Sequence, residues 1–154
     1  MTLRLLFVSL LCCAGCGAAA DPARSFVGTW SFASGTDNVS CPNGTTAVSL
    51  TGNLTVKPGS DGGLTVLDAA GCNFAYTLAG ADATLTGDKS CTFPVPELGQ
   101  DVTADAAYDT ITLSTTDAKT MGDTFSGKVT YTSPSGALDC VFSGSASLQK
   151  ISDS

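Results

Sequence analysis

The chain contains no histidine, and its only glutamate is Glu97. Without histidine, Ser-His-Asp and Cys-His catalysis are excluded, and so is the side chain whose ordinary pKa makes it a base near neutrality. The commonest metal ligand is lost with it, and beyond Cys16 no two cysteines stand in C-x-x-C spacing. Positive charge is scarce as well: seven Lys or Arg face fourteen Asp or Glu, a net charge of −7. Phosphate binding needs clustered cations, so nucleic acid is excluded as a partner. Tryptophan occurs once, at Trp30. Nowhere do apolar residues recur with convincing helical periodicity.

What is present begins at the N-terminus. Met1 to Arg4 precede the apolar run LLFVSLLCCA (Leu5 to Ala14), then Gly15 and Cys16. Charge, apolar segment and small residues in that order form a bacterial export signal, and a run of about ten residues is too short to span a bilayer. Cys13-Ala14-Gly15-Cys16 resembles the lipobox of bacterial lipoproteins, with Cys13 where that motif usually has Leu. The resemblance implies a signal peptide over residues 1–15 and a lipid on Cys16 as the new N-terminus. It also implies the outer membrane, because Gly17 rather than Asp follows the acceptor. The other reading is cleavage after Ala18-Ala19-Ala20, which leaves a soluble secreted or periplasmic protein starting at Asp21. Residues 16–25 read as a lipid-anchored tether, small and polar with one proline; the nine residues after Cys16 reach roughly 30 Å when fully extended.

Removing residues 1–15 leaves 154 − 15 = 139 residues, with six basic and fourteen acidic side chains and a balance of 6 − 14 = −8. That length fits one domain, placed over residues 26–151. Four cysteines remain after Cys16: Cys41, Cys72, Cys91 and Cys140. An even count in an exported chain reads as a disulfide framework.

From Phe26 onward apolar residues alternate with Thr and Ser, the period-two pattern of strands with one buried face. The first strand turns Phe26, Gly28, Trp30 and Phe32 inward. A second is expected to carry Val48, Leu50, Leu54 and Val56 inward, before a turn over residues 58–63. Further strands are expected at about 64–68, 72–78 and 83–86, then around Ile111 and Leu113, from Phe125 to Tyr131, and from Cys140 to Leu148. Mid-strand glycines 28, 52, 127 and 144 fall on the inward phase, where a barrel needs sharp bends or close approach. The expected fold is an all-β, eight-stranded antiparallel up-and-down barrel, with a β-sandwich as the alternative. The inward large residues are Phe26, Trp30, Phe32, Phe74, Tyr76, Phe125, Tyr131 and Phe142. One stretch, residues 92–108, reads as a long loop, with a short edge strand at Thr92-Phe93 as an option. In a meander, connections alternate between the barrel's two ends, which brings all four cysteines to one end. The hairpin of strands four and five then pairs Cys72 with Cys91, and Cys41 with Cys140 follows across the closure.

Gly28-Thr29-Trp30 at the head of the first strand resembles the G-x-W signature of lipocalins and the related avidin-like barrels. The resemblance implies a tryptophan plugging one end of a barrel that binds small apolar molecules. No T-D-Y triplet occurs, and the last strand has no Arg to lie over the tryptophan, the nearest cation being Lys150. Asp101, Asp105 and Asp109 are scattered and outside any calcium-loop pattern, while Asp61, Asp88 and Asp123 sit beside glycines as turn residues. No enzymatic activity, cofactor or metal is expected. The leading reading is a lipid-anchored envelope scaffold with a filled barrel that binds a protein partner; the alternative is a lipocalin-like carrier of a small apolar ligand. For the anchor, Cys16→Ser is expected to abolish fatty-acid labelling and release the protein from membranes. Equal labelling of the variant would refute it.

Overall fold

The computed structural model describes residues 23–98 and 101–153; the signal sequence, Cys16 and the tether up to residue 22 lie outside the described residues. A one-turn helix, α1 (Ala23–Phe26), leads into ten strands. These are β1 (Gly28–Cys41), β2 (Gly44–Ser49), β3 (Asn53–Pro58), β4 (Leu64–Leu67), β5 (Asn73–Ala79), β6 (Asp82–Thr86), β7 (Ser90–Pro94), β8 (Thr103–Thr115), β9 (Thr120–Ser133) and β10 (Gly136–Ser152). No helix among the described residues is long and apolar enough to cross a membrane.

Strands β1, β3, β4, β5, β6, β8, β9 and β10 follow one another around an antiparallel sheet that closes when β10 pairs with β1. The barrel anticipated from the alternation is therefore formed. Closure leaves one interior, and each strand contributes every second side chain to it. On β1 the register against β10 shifts between Phe32 and Ser34. The extra residue moves the inward phase from even to odd positions, so Trp30 below the bulge and Val39 above it both face the inside.

The wall is uneven. β1, β8, β9 and β10 run 14, 13, 14 and 17 residues, whereas β3 to β6 run 6, 4, 7 and 5. The tall side carries the outlying strands: β2 pairs with the upper half of β1, and β7 with the upper half of β8.

Three expectations are corrected. The expected second strand is two strands, because the lower half of β1 pairs with β3 and only the upper half with β2. β2 is exposed throughout, with Val48 outside the core, and Gly52 lies between β2 and β3 at φ +97° rather than within a strand. The expected long loop is largely a hairpin of β7 and β8, in which buried Ala104 and Ala106 alternate with exposed Thr103, Asp105 and Ala107. The inward residues are small alanines and outward Ala107 matches them, so no bulky apolar side chain marks the buried face in sequence. Finally, Ala23 to Ser25 form a helical turn instead of tether; Ala23 packs on the core and its carbonyl accepts from Val27 N at 3.1 Å.

The closed end is built on Trp30. The indole is fully buried beside Phe26, and its Nε1 donates to Phe26 O at 2.7 Å, satisfying its one polar group. Lys150 of β10 lies 5.2 Å from the ring centroid, where the lipocalin resemblance would put an arginine, and its Nζ donates to Val27 O at 2.7 Å and pairs with Asp153 at 3.2 Å. At the other end, disulfides join Cys41 to Cys140 and Cys72 to Cys91, as the meander requires. Their sequence separations of 99 and 19 correspond to roughly 5 and 3 kcal/mol of loop entropy removed from the unfolded chain. Trp30→Ala is expected to lower the unfolding free energy by about 3–5 kcal/mol in chemical denaturation. A loss below about 1 kcal/mol would mean that the closed end does not depend on the ring.

Candidate functional site

Between the filled closed end and the disulfide end, the barrel encloses a cavity of about 280 Å³. Six of the eight expected inward aromatics line it: Phe32, Phe74, Tyr76, Phe125, Tyr131 and Phe142. Phe26 and Trp30 instead fill the floor. The rim comes from the short wall, where Leu50 and Thr51 precede β3 and Asp68, Ala69 and Ala70 follow β4.

The large rings lie against the wall. A methyl group at Gly127 would sit 2.7 Å from the Phe142 ring tip, and one at Gly144 would overlap the Phe125 ring and the Thr36 carbonyl. These two inward glycines take up ring volume at the wall and keep it out of the centre. Phe142 and Phe74 each meet Tyr108 edge to face, with centroids 5.1 and 5.3 Å apart. Such pairs each add about 0.5–1.5 kcal/mol beyond area burial.

Set among the aromatics are three carboxylates, Asp37 of β1, Asp68 after β4 and Asp123 of β9. Asp68 is tied down: its Oδ1 accepts from Cys72 N at 2.8 Å. The other two each keep a buried oxygen without a hydrogen-bond partner among the described residues, and Asp123 is only 8 % exposed. Burial, with no compensating cation, raises the Asp123 carboxyl to about 7 and that of Asp37 to about 6. Burial also raises Asp68, although the Cys72, Ala70 and Gly71 amides oppose it. The Tyr76 and Tyr108 phenols are pushed upward, by burial first and then by these carboxylates.

Asp123 was expected in a turn beside Gly122; it is an interior strand residue, facing in between Met121 and Phe125. Asp88 does act locally, accepting from Ser90 N at 3.0 Å. Asp105 and Asp109 lie exposed on β8, and Asp101 is exposed just before it. The residues that the sequence reading missed are Asp37, Asp68, Asp123 and Tyr108. Continuing the alternation two residues beyond Val66 or two before Phe125 reaches Asp68 and Asp123. Asp37 is hidden by the bulge on β1. Among the described residues no group of three His, Cys, Asp or Glu side chains is placed to hold a metal ion.

Scanned against known protein families and against curated proteins, the chain matches none. Among solved structures it is similar to a protein of unknown function from the DUF3598 family of Nostoc punctiforme, at 8 % identity and a TM-score of 0.39. The match covers 84 % of this chain and 49 % of that one, so the chain spans about half the length of that protein.

The two raised carboxyls fix a sign for pH dependence. Between the ordinary 3.8 and about 7, folded Asp123 holds a proton that the unfolded chain has lost, so stability falls as pH rises through that window. For Asp123 the loss is at most about 4 kcal/mol, and half-buried Asp37 adds less because water screens it. Thermal denaturation is expected to give a higher midpoint at about pH 5 than at about pH 8, with Asp123→Asn removing most of the difference. A midpoint rising with pH in this range, or a variant as pH-dependent as the parent, would contradict the assignment.

Proposed function

We propose that this chain is a non-enzymatic binding protein whose barrel takes up one small molecule, carried at the outer membrane on a lipid attached to Cys16. The observation that carries the binding reading is the cavity of about 280 Å³ above the fully buried Trp30 end of the barrel. Small-molecule sites run from about 300 Å³ upward, so this one suits a compact ligand. A purely structural barrel of this strand number can be filled by its own side chains. Here the inward phase instead places Ala106, Gly127 and Gly144 beside the aromatics. The export signal and the Cys16 motif support the anchor. The described chain enters the barrel at the Trp30 end, opposite the rim formed by residues 68–70, so a lipid on that side leaves the rim facing away from the membrane.

The test is thermal shift and calorimetry with compact neutral, cationic and anionic aromatic probes. Saturable one-to-one binding is expected, with stability rising as ligand concentration exceeds the dissociation constant. Ala106→Phe, which puts a ring where the lining has a methyl, is expected to abolish that binding while retaining cooperative unfolding. The milder Ala106→Leu should weaken it. No response from any probe class would overturn the reading.

A further inference from the structure

We propose that the cavity takes a compact organic cation, an amine or quaternary ammonium with an apolar body, whose charge is held by Asp123 and Asp37 and whose body lies against the aromatic wall. This rests on reading the barrel as a binding module and names the ligand class that its interior fits.

The first support is the unmatched charge. Asp123 is 92 % buried (100 − 8) and presents an oxygen with no partner, and Asp37 shows the same defect nearer the rim. Buried polar groups are nearly always satisfied, and a buried carboxylate is the costliest to leave alone. A leucine at position 123 would continue the packing of Met121 and Leu113, so the acid is a departure from what stability alone favours.

The second support is where the protein's own cations lie. None of those among the described residues lines the cavity. Lys150 is engaged at the closed end, and Arg24, Lys57, Lys89, Lys119 and Lys128 are exposed outside it. Within the described residues the carboxylates are left for a ligand to balance. An anionic ligand such as a fatty acid would face three carboxylates with no counter-charge. A bare metal ion lacks its ligand set, since no three suitable side chains converge among the described residues. An organic cation needs only one or two carboxylates and is attracted by aromatic rings, and Phe74, Tyr108, Phe125 and Phe142 line the same space. The chain's net charge of −7 favours the approach of cations and repels anions.

Binding of this kind has a defined pH response. The groups facing Asp123 across the cavity are Asp37 from β1, Asp68 after β4, Tyr76 from β5 and Tyr108 from β8, with Tyr131 further up its own strand; β6 and β10 add no titratable group to the lining. With Asp123 at about 7 and Asp37 at about 6, acidification protonates both and removes the attraction.

The experiment is isothermal titration of the full chain with 2-phenylethylamine, 2-phenylethanol and 3-phenylpropionate, three probes of similar shape that differ in charge. At about pH 8 the amine is expected to bind at least about 10-fold more tightly than the alcohol, and the acid not to bind. Asp123→Asn should weaken the amine at least about 10-fold and leave the alcohol within about 2-fold; Asp37→Asn should act in the same direction more weakly. Amine affinity should fall between about pH 8 and about pH 5.5 in the parent, and much less in Asp123→Asn. If the alcohol binds as well as the amine, or Asp123→Asn leaves the preference intact, the cation inference fails while the binding reading stands. If no probe binds the folded protein, both fail.

Discussion

The pairing of β10 with β1 is the constraint on which the rest depends. Before it forms, the sheet is an open ribbon with two exposed edges and no enclosed side. Once it forms, from Thr29 with Ser152 up to Ser40 with Val141, every inward residue is committed to one shared interior. The two ends of that seam are secured differently. At the closed end Lys150 bridges from β10 to the Val27 carbonyl and covers the Trp30 ring; at the other end the Cys41 to Cys140 bond joins the same two strands covalently. The bulge after Phe32 lies between these two fastenings. It lets a long β1 turn from β3 to β2 while its inward residues stay inward.

Closure also explains why the barrel is filled at one end and hollow nearer the other. At the Trp30 end the eight barrel strands surround the core, and Phe26, Trp30, Val56, Met121 and Leu148 are wholly buried. Toward the disulfides the short strands β3 to β6 stop, and only the tall wall continues. Its interior cluster, built on Val39, Ala106, Val129 and Phe142, faces short strands that have already ended. The lumen is therefore lined on one side by a complete aromatic wall and on the other by a low rim.

How much of this was legible in sequence depended on how strongly each residue expressed the alternation. Phe74-Ala75-Tyr76 keeps bulky residues on one phase, as do Phe125, Val129 and Tyr131 with Gly127 among them, so strand, facing and core membership could all be read. The cysteine pairing was legible because a meander permits few arrangements. Residues 103–107 put only alanine on the inward phase and end on an outward alanine, so no bulky apolar residue marks the buried face, and the upper half of β8 passed for loop. Asp123 was misplaced because Gly122-Asp123 is strong turn chemistry in isolation. Only the fourteen-residue strand around it overrides that local preference. Asp37 lay beyond reach for a different reason: a bulge inverts facing without changing composition, so no periodic pattern reports it. The candidate site is thus concentrated at the positions where local rules fail, which is where functional residues are expected to collect.

Those failures share a physical character. Asp37, Asp68 and Asp123 each occupy an inward phase that packing alone would give to an apolar residue, and Gly127 and Gly144 each leave a place where a ring and a backbone carbonyl approach too closely for any side chain. Each costs stability on its own: the acids through desolvation, the glycines through backbone entropy. Taken together they act in one direction, because the glycines draw Phe125 and Phe142 against the wall while the acids line the space left in front of them. Both disulfides lie at this hollow end, where the hydrophobic core is thinnest. The stability lost to a polar, incompletely filled lumen is offset there by covalent restraint, and the fully packed Trp30 end is left to hold the barrel closed.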